Sequence, residues 1–96
     1  MMSEKEAYEK KLQAQLDEWN SEIDKLKAKA DKAEADAQLE YYQQIDALRE
    51  KQEKSNQKLD ELKSASDDAW KDLKTGIDSA LDSLGRSLES AKSRFK

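Results

Sequence analysis

Residues Lys25–Ala37 read KLKAKADKAEADA, and at helical spacing their inward positions are Leu26, Ala30, Ala33 and Ala37. Alanine is the strongest helix former, so the stretch predicts a helix. Its inward face narrows to methyl groups, which fill little space. Close packing then requires a bulky partner, and the far half of the chain offers Trp70, Leu73 and Ile77.

Upstream, the apolar stripe runs Leu12, Leu16, Trp19, Ile23, Leu26, Ala30, Ala33, Ala37, with steps of four and three. That alternation is a heptad seam. Ser3 and Glu6 have capping-box spacing, which starts the helix there. Downstream the steps become two fours, to Tyr41 and Ile45, and then three to Leu48. Consecutive fours are a stutter that locally unwinds a left-handed supercoil. From Arg49 to Lys58, REKQEKSNQK, there is no apolar residue. This gap reads either as a turn, best placed at Ser55–Asn56, or as a polar waist in a continuous rod with Gln52 and Ser55 at the seam.

Leu59 and Leu62 resume the stripe. Ser66, with Asp67 and Asp68 after it, has the form of an N-cap and acidic first turn. The stripe continues through Trp70, Leu73, Ile77, Leu84, Leu88, Ala91 and Phe95.

The reading is an all-α chain forming a long antiparallel helical hairpin or coiled coil. Its helices span roughly 4–52 and 57–95, with a kink or break near 64–67. Folding at the gap makes facing residue numbers sum to about 107. Ala37 then meets Trp70, Ala30 meets Ile77, Ile23 meets Leu84, Trp19 meets Leu88 and Leu12 meets Phe95. Small positions face large ones, as a packed seam wants. Each arm would be about 65–70 Å long. An antiparallel dimer of unbroken rods makes the same pairs in trans, so both arrangements stay open.

The bulk numbers agree. The 96 residues are 42% charged and 35% hydrophobic, with no Pro and two Gly. Such a chain relies on a narrow seam, as one coiled-coil unit over 1–96 without separate domains. The net charge of −4 argues against nucleic acid as a partner. Without Cys there is no disulfide framework. No apolar run suggests a signal or a membrane span, so the cytoplasm is the expected compartment.

Catalysis is set aside. His, Cys and Gly-rich loops are absent, and a seam of Leu and Ala offers no pocket. The densest carboxylates, Asp67, Asp68 and Asp72, read as a solvated helix start rather than a metal site. No cofactor is expected. Trp19 and Trp70 lie on the stripe and read as seam residues. One rival concerns Leu73–Phe95, whose polar face is rich in Thr75, Ser79, Ser83, Ser87, Ser90 and Ser93. Small hydroxyls opposite large apolar residues resemble lipid-packing sensor helices. Asp78, Asp82 and Glu89 weigh against that, so a partner helix is the preferred reading.

The run AYEKKLQAQLDEWNSEIDKLKAKADKAEADAQLEYYQQI, with LDELKSASDDAWKDLKTGIDSAL after it, resembles a group of short bacterial coiled-coil proteins. They occur in proteobacteria and cyanobacteria and carry a stress-response label. The resemblance implies a soluble, cytoplasmic helical protein and brings no catalytic or ligand residues. The expected function is self-association as a homo-oligomer, a dimer or four-helix assembly, in a protective or scaffolding role. The seam would comprise Leu12, Leu16, Trp19, Ile23, Leu26, Ala30, Ala33, Ala37, Ile45, Leu48, Leu59, Leu62, Trp70, Leu73, Ile77, Leu84, Leu88 and Phe95. The alternative is a peripheral membrane protein binding lipid through helix 70–96.

Overall fold

Three α-helices make up the fold in a computed structural model that describes residues 3–95: α1 (Glu4–Asp31), α2 (Ala35–Ser64) and α3 (Trp70–Arg94). Ser3 caps α1, its Oγ accepting from the Glu6 N–H at 3.2 Å, with Glu4 and Glu6 in the first turn. The carboxylates suit the positive end of the helix dipole. α1 ends where the Lys32 N–H donates to the Lys29 carbonyl at 3.2 Å and the Ala33 N–H to the Ala30 carbonyl at 3.1 Å.

The chain turns at Lys32–Glu34, inside the alanine stretch. Backbone direction changes at Glu34, where φ is −65° and ψ is 152°. Charge suits the location: Lys25, Lys27 and Lys29 outnumber Asp31 at the end of α1, and Asp36 lies in the first turn of α2. Cations suit a helix C-terminus and anions suit an N-terminus.

α2 runs unbroken through the polar gap. Arg, Glu, Lys and Gln are good helix formers, and Ser55 takes the inward position. It is 2% exposed, and its hydroxyl donates to the Lys51 carbonyl at 3.0 Å, so burial leaves no polar group unpaired. The gap is therefore a waist. After α2 the backbone is extended at Ala65. Ser66 organises the second turn, with its Oγ accepting from the Ala69 N–H and its carbonyl from the Trp70 N–H, both at 3.1 Å.

α1 and α2 are antiparallel: Lys5 donates to the Ala65 carbonyl and Gln38 to the Ala30 carbonyl. α2 and α3 are antiparallel, with Tyr41 stacked on Phe95 at 4.2 Å between ring centroids. α1 and α3 are parallel, since Tyr8 reaches Asp78 and Glu22 reaches Lys92. The result is an up-down-up bundle of 51 × 22 × 18 Å.

The core is built from stripe residues. Leu12, Leu16, Ile23, Leu26, Ala30, Ile45, Leu48, Leu59, Leu62, Trp70, Ile77, Leu84, Leu88, Ala91 and Phe95 are buried. The connectivity differs from the sequence reading. Helices over 4–52 and 57–95 are replaced by three shorter ones: the bend expected at 53–56 is absent, a turn at 32–34 takes its place, and the break expected near 64–67 is the turn at 65–69. Ala30 no longer faces Ile77, nor Ala37 Trp70, because Ala30 and Ala37 lie beside the first turn, at the end of the bundle away from Trp70. Ala33 and Ala37 serve the turn and are half-buried, and Trp19 and Leu73 are also half-buried. The physical gain is coverage. A two-helix seam leaves flanks such as Tyr42 and Leu81 bare, whereas a third helix packs both against the core. Leu39 alone among the described large hydrophobics stays exposed, at 66%.

Candidate interaction face between α1 and α3

Two of the three helix interfaces are stitched by polar contacts at mid-length. Between α1 and α2, Arg49 donates to Asn20 at 2.9 Å and pairs with Asp24, and Gln52 donates to Asn20 at 2.6 Å. Between α2 and α3, the Lys51 ammonium donates to Ser83 and Ser87 at 2.9 and 2.7 Å. The α1–α3 interface is tied near its ends instead. Towards the start of α1, the Tyr8 and Trp70 rings meet at 5.7 Å, and the Tyr8 hydroxyl donates to Asp78. Towards its other end, Lys92 pairs with Glu22.

Between these ties lies an open trough of about 680 Å³. Tyr8, Leu12, Gln15, Trp19, Leu81 and Gly85 line it, and Lys11, Asp78, Asp82, Arg86 and Glu89 add charge. Its volume falls within the usual range for ligand sites. Trp19 lies against α3 because residue 85 is glycine: a Cβ there would stand 3.1 Å from the indole Cζ2 and 3.2 Å from Cη2.

Most of the charges around the trough are already engaged. The Tyr8 hydrogen bond holds the Asp78 carboxyl below the ordinary carboxylate range against the opposing effect of desolvation, and Lys74 adds a lesser push the same way as Tyr8. Burial first, and the adjacent Asp78 second, push the Tyr8 phenol well above its ordinary value. Glu22 raises the Lys92 ammonium. Arg86 pairs with Asp82 at 3.0 Å. The trough thus presents aromatic and aliphatic surface inside a ring of mostly paired charges. No oriented nucleophile and base stand together in it. Among the described residues no group of acidic side chains is arranged to hold a metal ion, and no helix is long and apolar enough to cross a membrane.

No family model, curated protein or solved structure matches this chain.

Of the residues expected at a self-association seam, most fill the chain's own core, and Trp19 alone lines the trough beside buried Leu12. Sequence reasoning missed Tyr8, Asp78 and Gly85 as features of this face. Tyr8 was discoverable, since it stands four residues before Leu12 and extends the stripe by one step. Gly85 reads only as a weak spot in α3 until Trp19 is placed against it. Ser83 and Ser87, two of the small hydroxyls that suggested a lipid surface, hold Lys51 instead.

Proposed function

We propose that this chain is a non-enzymatic helical protein that works by association with copies of itself, in a protective or scaffolding role under stress. The trough supports this reading most. It leaves Tyr8, Trp19 and Leu81 only partly covered, on the face where a fourth helix would complete a bundle. A second copy suits its charges. When two troughs close face to face about an axis along the bundle, Lys11 of one copy lies opposite Asp78 and Asp82 of the other. The resemblance to short stress-labelled bacterial coiled-coil proteins supports a bacterial, cytoplasmic setting.

Sedimentation equilibrium across a wide concentration range tests the proposal. The expected result is a weight-average mass that rises from one chain towards a dimer or larger assembly. A single-chain mass at every concentration would overturn it.

The amphipathic face of α3 supports a second reading, attachment to a membrane surface, with Arg86, Lys92 and Arg94 near headgroups. That binding would require α3 to leave the bundle, since Ile77, Leu84 and Leu88 are buried in it. Flotation with anionic liposomes separates the two: co-flotation supports the membrane reading, and protein left at the bottom of the gradient removes it.

A further inference from the structure

We infer that the Lys32–Glu34 turn is a hinge through which two copies exchange α1. The hinge straightens and fuses α1 and α2 into one helix over residues 4–64. This rests on the self-association reading and gives it a route separate from closure of the trough.

The turn is held by side chains that bridge it, Gln38 to the Ala30 carbonyl and Tyr42 to Asp31, and not by its backbone. It contains no Gly and no Pro, and no described residue has positive φ. Glu34 caps α2 without a side-chain hydrogen bond. Lys32 already has right-handed helical dihedrals, with φ −98° and ψ −5°, and Glu34 has a helical φ. The departure from helix is confined to a short stretch, the bend at Ala33 and the ψ of Glu34. The surrounding residues, KAKADKAEADAQ, are mainly Ala, Lys, Glu and Gln, which favour helix. The apolar stripe also keeps its phase across the turn, from Leu26 through Ala30 and Ala33 to Ala37. In the closed bundle Gln38 caps the Ala30 carbonyl. In the fused helix that carbonyl accepts the N–H of residue 34.

Geometry makes the exchange self-consistent. Facing positions of α1 and α2 have residue numbers summing to about 70, as Lys5 with Ala65, Asn20 with Arg49 and Ala30 with Gln38 show. Two fused helices that lie antiparallel and cross near residue 35 recreate those pairs between chains. Each α3 stays on its own α2 and receives α1 from the other copy, so the Tyr8–Asp78 and Glu22–Lys92 contacts re-form in trans. At the crossing Ala33 of one copy meets Ala37 of the other, and methyl side chains let the two backbones approach. Lys29 comes to face Glu40 of the second copy, and Lys32 faces Asp36. Each rod is about 90 Å long at 1.5 Å per residue. Exchange keeps the contacts and loses the turn, which is how domain swapping makes dimers at low cost. Dilution favours the closed bundle and concentration favours the dimer.

The test uses the full chain, which has no Cys of its own. Asn20→Cys and Gln52→Cys are introduced together at positions whose native side chains touch. The concentrated protein is separated by gel filtration, and each fraction is treated with a short bismaleimide. Exchange predicts covalent dimers on a denaturing gel from the dimer fraction, and internally linked single chains from the monomer fraction. A dimer fraction yielding only internal links would overturn exchange and leave self-association through the trough standing. No dimer fraction would overturn both.

A second variant is Ala35→Pro. Position 35 opens α2, where proline is favoured, and the residue before it is already extended. The closed bundle should keep its circular dichroism and melt no lower. In a fused helix the same proline sits in the interior and costs roughly 100-fold per chain. The dimer association constant should fall by roughly 10⁴-fold. A dimer that survives Ala35→Pro undiminished would overturn exchange.

Discussion

Trp19 rests its indole on Gly85, so close that a methyl group at position 85 would lie 3.1 Å from the ring. Gly76, nine residues earlier on α3, has nothing nearer than the Lys58 ammonium at 3.9 Å. The same substitution at these two sites should therefore behave differently. Gly76→Ala should stabilise the bundle by about 0.5–1 kcal/mol through helix propensity. That is a rise in Tm of several degrees for a chain of this size. Gly85→Ala should gain less than half as much, because the indole must shift towards the trough. Gly85→Leu should lose about 1–3 kcal/mol through overpacking. Urea denaturation of the three variants beside the parent measures the order, and equal gains at both alanines would contradict the Trp19 contact.

Leu84 and Leu39 make a second contrast. Leu84 is fully buried between the helices, and Leu39 is 66% exposed near the start of α2. Leu84→Ala should cost about 2–5 kcal/mol, the lost transfer free energy plus a cavity. Small domains have about 5–15 kcal/mol in total, so Leu84→Ala should melt far below the parent. Leu39→Ala should stay within about 0.5 kcal/mol. Thermal melts followed by circular dichroism test both.

Stability should be flat around neutral pH and fall on both sides. Asp78 and Asp31 are held below their ordinary range, Asp78 mainly by the Tyr8 hydroxyl and Asp31 by Lys27 and then Tyr42. Their contribution is present above the unfolded value of about 4 and is lost as pH falls through the lower folded value. Tyr8 and Tyr42 are held above their ordinary value, by burial first for Tyr8 and by Asp31 first for Tyr42. Their contribution is complete below about pH 10 and is lost as pH rises beyond it. These groups lie near solvent, so both arms should be shallow. Tyr8→Phe should flatten both further. Urea midpoints from pH 3 to pH 11 measure this. With no His in the chain, a marked step between pH 6 and 8 would contradict the account.

Burial was legible in the sequence and connectivity was not. Steps of three and four select a helix face without saying which helix the face meets. Leu12, Leu16, Ile23, Ile45, Leu59 and Leu84 are therefore in the core, as their spacing indicates. The polar gap misled because one inward serine can replace a leucine when its hydroxyl bonds back to the carbonyl four residues earlier, as Ser55 does to Lys51. The true first turn carries no Gly or Pro. Its mark is the switch from Lys29 and Lys32 to Glu34 and Asp36, the charge signature of one helix ending and another beginning. The same kind of signature was legible at Ser66–Asp68. The trough was invisible, because it depends on which two helices lie parallel.

The central claim is that the chain reverses at Lys32–Glu34 and not at Ser55–Asn56. Spin labels on the exposed positions Ala14 and Asn56, introduced as Ala14→Cys with Asn56→Cys, test it by double electron–electron resonance in dilute solution. The bundle puts these sites at one level on neighbouring antiparallel helices, so the account predicts one distance of about 20 Å, label arms included. A distance of about 60 Å, as a helix continuous from 4 to 52 requires at 1.5 Å per residue, would contradict it.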